Sequence, residues 1–123
     1  MRKLQERIVR DYVDLIWEIA ASRYVKVFVV GYTAAAAKRR RYGYRSNGYN
    51  HLIVIADRLT KIQAHDLERR LQDACKAGAP CGPCYRYKYD AYHRDLPYYA
   101  SAGQGSPAPD ELIHSVYMAW RSN

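Results

Sequence analysis

Apolar side chains recur at helical spacing from about Lys3 to Ala21. Leu4, Ile8, Tyr12, Leu15 and Ile19 form one row, and Val9, Val13, Ile16 and Ala20 form a second beside it. No Pro or Gly interrupts them. The pattern predicts a helix whose wide apolar face packs on a sheet or is shared with a second subunit. The period then changes. Tyr24 to Tyr32 (YVKVFVVGY) is β-branched and aromatic with little alternation, which predicts an interior strand covered on both faces and ended by Gly31. Thr33 is placed to cap a short helix through Ala34–Ala37 and Lys38-Arg39-Arg40-Arg41. Gly43 to Asn50 reads as a polar loop and His51 to Ala56 (HLIVIA) as a second buried strand.

Thr60-Lys61-Ile62-Gln63 has the spacing of a capping box, with Gln63 reaching back to the Thr60 amide. A helix to about Lys76 follows, with Ile62, Leu67 and Leu71 inward, until Gly78 and Pro80 end it. From Gly78 to Pro109 the chain is rich in Gly, Pro, Ser and Tyr without a sustained period, so it contains short elements or forms a functional loop. Leu112 to Trp120 predicts a third strand. The expected architecture is one α/β domain over residues 1–123, a small three-stranded mixed or antiparallel sheet flanked by helices. It has an N-terminal helix at about 3–21 and a loop-rich C-terminal third.

Composition narrows the function. A net charge of +8 on so small a domain favours polyanionic partners, nucleic acid first among them and DNA ahead of RNA. Thirteen tyrosines against one phenylalanine add flat faces for bases and hydroxyls for phosphates. No apolar run approaches the ~20 residues of a membrane span. Met1 to Arg10 alternate charged and apolar side chains, unlike a secretory signal, so a cytoplasmic protein without membrane association is expected. Three cysteines cannot all pair with one another, which disfavours a secreted disulfide framework.

The segment from Val27 to Lys76 runs strand, Gly-x-Thr, basic helix, strand, then a helix carrying Ala64-His65-Asp66-Leu67-Glu68-Arg69-Arg70-Leu71. This order resembles the GIY-YIG nuclease family, in which a motif strand ends in Gly-x-Thr, a short helix carries an arginine and a later helix carries Ala-x-x-x-Glu-x-x-Leu. The corresponding residues are Val29-Val30-Gly31-Tyr32-Thr33, Arg39 or Arg40 with Tyr44 at helical distance, and Glu68. Val29 stands where the family has a tyrosine, and no Gly-Ile-Tyr strand precedes Tyr24. Ser115-Val116-Tyr117 resembles that missing element, and its pairing beside Tyr24–Tyr32 would make the arrangement a circular permutation. The resemblance covers less than half of the chain.

It implies a metal-dependent endonuclease. Glu68 would hold one divalent cation, Mg²⁺ by preference, since that ion keeps several waters. Arg39 or Arg40 would neutralise charge on the phosphoryl oxygens. Tyr44, Tyr32 or Tyr117 would position or deprotonate the attacking water, which requires nearby cations to stabilise a phenolate. Lys38, Arg41 and Arg45 would contact the backbone of the nucleic acid. Each residue also has an ordinary reading: Glu68 as a solvated helix residue between arginines, the Lys38–Arg41 run as a solvated face, Tyr117 as a core aromatic. His51, His65 and His114 read as structural or surface histidines, with His114 on the opposite sheet face from Tyr117.

Two further features stand outside that scheme. Cys75, Cys81 and Cys84, completed by His93, have the makings of a structural zinc site, although buried free thiols are the simpler expectation. Tyr85-Arg86-Tyr87-Lys88-Tyr89 alternates aromatic and basic residues, as a strand that stacks bases and contacts phosphates, or as a charged edge strand that resists aggregation. The competing classes are therefore an endonuclease, a non-catalytic nucleic-acid-binding module of the same or a zinc-stabilised fold, and a protein-interaction factor with an acidic partner. A homodimer through the N-terminal helix is compatible with each.

Overall fold

The computed structural model describes residues 5–34, 48–77, 85–95 and 110–122. Helix α1 spans Glu6–Ala20. Strand β1 (Val27–Thr33), strand β2 (His51–Leu59) and helix α2 (Lys61–Ala77) follow. A single 3₁₀ turn (Arg86–Lys88) and the short helix α3 (Ala91–Asp95) lead on to strand β3 (His114–Arg121). The sheet is fully antiparallel in the order β1-β3-β2, so the last strand of the sequence is the central one. Among the described residues no helix is long and apolar enough to cross a membrane.

Helices α1 and α2 cover one face of the sheet. Of the two apolar rows of α1, the one that turns inward is Val9, Ile16 and Ala20, joined by Trp17, while Ile8 and Leu15 of the other remain exposed. The row of α2 is Ala64, Leu67, Leu71 and Cys75. They meet Phe28, Val30 and Tyr32 of β1 and Val116 and Met118 of β3 in one core. Arg70 ties the two helices together, 2.8 Å from Glu6 and 3.5 Å from Asp66. The opposite sheet face buries a smaller cluster of Val29, Tyr49, Leu52, Tyr117 and Ala119. The capping box at the start of α2 is formed, the Thr60 amide donating to Gln63 Oε1 at 3.1 Å and the Gln63 amide to Thr60 Oγ1 at 3.3 Å.

Three expectations are corrected. Strand β1 is not interior but lies at an edge of the sheet. Its buried character comes from the segment docked on its free side, where Tyr89 bridges Phe28 in parallel and the Asp90 amide donates to the Phe28 carbonyl at 2.9 Å. Gly31 does not end β1: the ladder continues through Gly31↔Tyr117 to Thr33↔Ser115. Strand β2 is only half-buried and extends to Leu59, with two register irregularities against β3 and a left-handed Arg58 at φ 55°. The stretch without a sustained period, 78–109, contains the 3₁₀ turn and α3 within its described part.

Candidate active site

Glu68 lies on the inward face of α2 and is completely buried. One turn later Gln72, equally buried, donates from Nε2 to the Val30 carbonyl of β1 at 3.2 Å. One turn earlier the His65 ring meets the Tyr32 ring edge-on at 6.0 Å. Following α2 backwards from Gln72 to His65 thus follows β1 forwards from Val30 to Tyr32, with Glu68 between. Burial, and next the negative charge of Glu68, push the Tyr32 phenol above its ordinary range. An ionised carboxylate is costly to bury without a cation or donors, so placing one here constrains what surrounds it. An open depression of about 270 Å³ lies on the same part of α2, lined by Lys61, Ile62, His65, Asp66 and Arg69.

The structure therefore brings Glu68 and Tyr32 together beneath the end of β1. It does not bring Tyr117 with them. That residue is buried on the opposite sheet face beside Val29, because it pairs with Gly31 and so alternates away from the layer holding Tyr32. The base role for Tyr32 also meets an opposing field: a nearby carboxylate raises the phenol, whereas that role requires cations that lower it. Lys38, Arg39, Arg40, Arg41, Tyr44 and Arg45 lie outside the described residues. His114, on the helix-covered face, has Nδ1 3.2 Å from the Leu59 carbonyl and 3.3 Å from that of Glu111, two acceptors that require a proton on this nitrogen. His51 is exposed and stacks on Trp120.

Comparison with protein-family models, curated proteins and solved structures finds no match.

The aromatic–basic run is not a strand. Residues 86–88 form a 3₁₀ turn because Lys88 folds inward, its ammonium donating to the carbonyls of Ala20 at 2.6 Å and Ser22 at 3.1 Å. Lys88 thereby closes the C-terminus of α1, and its proposed phosphate contact is withdrawn. Tyr85 packs on Trp17 with ring centroids 6.4 Å apart, and Tyr89 is buried against Phe28, so neither shows the free face that stacking on bases needs. Arg86 and Tyr87 remain exposed. Of the zinc candidates, Cys75 is a buried thiol in the core and His93 a half-buried ring against Tyr89 and Tyr92, while Cys81 and Cys84 lie outside the described residues. Among the described residues no three His, Cys, Asp or Glu side chains gather as metal ligands.

Gln72 is the participant that the sequence reading passed over. Its position four residues after Glu68 on the same helix face was the available signal.

Proposed function

We propose that the chain hydrolyses phosphodiester bonds in nucleic acid, as an endonuclease of GIY-YIG type, at a site centred on Glu68. The observation that carries this reading is the burial of a carboxylate beside Tyr32 beneath the end of the strand that leads into the Lys38–Arg41 run. Arg39 and Arg40 follow Thr33 by six and seven residues, so at no more than ~3.6 Å per residue the chain keeps them within roughly 22 Å and roughly 25 Å of that strand end. The pairing of β3 alongside β1 is the arrangement that the permuted scheme requires, with Ser115-Val116-Tyr117 opposite Gly31-Tyr32-Thr33.

Glu68 would be the protein ligand to one hydrated Mg²⁺, and because its side chain is fully buried, binding would require this carboxylate to be uncovered. Such an ion would supply charge stabilisation to the phosphoryl oxygens and the leaving group. The residues of the chain do the rest. Arg39 or Arg40 grips the phosphate by its guanidinium fork. Tyr32, kept protonated first by its burial and then by the carboxylate next to it, would act as a hydrogen-bond donor rather than a proton acceptor. Gln72, anchored on the Val30 carbonyl, fixes the turn of α2 that carries Glu68. Deprotonation of the water falls to Tyr44, the tyrosine that follows the basic run in sequence.

Incubation of the protein with supercoiled plasmid, in Mg²⁺ or in EDTA, tests this. Nicking in Mg²⁺ alone, lost in Glu68→Gln and in the Arg39→Ala/Arg40→Ala pair, is the expected result. Salt-sensitive binding without any nicking would replace the enzyme by a binding module.

A further inference from the structure

We propose that the chain holds an unpaired base of a nucleic-acid strand in an aromatic concavity at the opposite end of the sheet from Glu68. The concavity measures about 660 Å³, within the ordinary range of ligand sites, and its walls include Ile19, Tyr24, Val25, His51, Ile53 and Trp120. They come from the end of α1, the loop after it, the first residues of β2 and the end of β3. In the sheet ladder His51 and Trp120 stand level with Phe28, four residues from Tyr32, or roughly 13 Å at ~3.3 Å per residue.

Three features favour a base over an apolar peptide. First, the rings are presented rather than packed away. His51 is exposed, Tyr24 is 60% exposed, and the His51 and Trp120 rings stack 5.3 Å apart at 20° from parallel. The exposed His51 ring, backed by the half-buried Trp120 and flanked by Val25, Ile19 and Ile53, suits another flat ring, and stacking tolerates any base. Second, cations flank the lining residues Tyr24 and Val25. The Arg23 guanidinium lies 5.0 Å from the centre of the Tyr24 ring and donates to the Tyr24 hydroxyl at 2.8 Å, and Lys26 is exposed beside Val25. Burial, and next the positive charge of Lys26, disfavour a proton on Lys88. Third, no Asp or Glu is among the described residues that line it, so a phosphate meets no carboxylate there.

The proposal rests on the nucleic-acid reading but not on the chemistry of Glu68, so it is tested in a Glu68→Gln background where the strand is not consumed. Binding of labelled oligothymidylate, an abasic strand of equal length, duplex DNA and thymidine monophosphate is followed by anisotropy or competition. Oligothymidylate should bind about tenfold or more tightly than the abasic strand. His51→Ala and Tyr24→Ala should each remove most of that difference, His51→Phe should retain it, and duplex binding should not change. These side chains are exposed, so thermal melting should not move either. Equal binding of the two single strands, or variants without effect, would overturn the base site and leave the nucleic-acid reading standing. Monophosphate binding as tight as that of the strand would overturn its assignment to a strand. Failure to bind any nucleic acid would overturn both readings.

Discussion

At the residue scale, the proposed chemistry depends on Glu68 and Tyr32. Burial, and next the neighbouring carboxylate, make the Tyr32 phenol resist ionisation, and a divalent cation on that carboxylate would reverse the sign of its field. The difference between ultraviolet pH titrations of wild type and Tyr32→Phe isolates this one tyrosine. Without metal it should ionise above the ordinary value of about 10, and Mg²⁺ should bring it down. A second titration belongs to His93. Burial lowers its affinity for a proton, against an opposing pull from Asp90, so the unfolded chain binds that proton more readily than the folded one. Stability should therefore fall as pH drops through about 6.5 towards the lower folded value. Denaturant melts at about pH 7.5 and about pH 5.5 should show a smaller loss for His93→Gln than for wild type. That Glu68 lies on a helix was legible in the sequence. The side of the sheet occupied by Tyr117 was not, because it depends on which residue of β1 the distant strand β3 faces.

At the scale of elements, what was local was legible. The capping box of α2 lies within four residues, and both of its bonds form as the spacing of Thr60 and Gln63 predicts. Thr60→Ala should cost about 1 kcal/mol in equilibrium denaturation, with the unfolding slope unchanged. The run Tyr85–Tyr89 shows the opposite case. Its alternation is that of a strand, yet Lys88 finds the carbonyls that end α1 and Tyr89 finds the free edge of β1, partners far away in sequence. The same docking conceals the edge position of β1, whose composition alone reads as interior. Asp90 completes it, accepting from Tyr49 Oη at 2.8 Å while its other oxygen caps α3 through the amides of Tyr92 and His93.

On the scale of the whole molecule, the C-terminal strand holds the sheet together. β1 and β2 each pair with β3 and not with one another, so a chain truncated before Asp110 loses both ladders. It should show no cooperative thermal transition and little sheet signal by circular dichroism. That central strand also binds the two proposed sites into one body, the carboxylate at one end of the ladder and the aromatic concavity at the other. The most direct test is the rate at which the protein cleaves a labelled nucleic-acid strand in Mg²⁺, wild type against Glu68→Gln at equal thermal stability. The expected result is metal-dependent cleavage that falls on the order of a hundredfold or more in the variant. Equal rates in the two proteins, or no cleavage by wild type at any Mg²⁺ concentration, would contradict it.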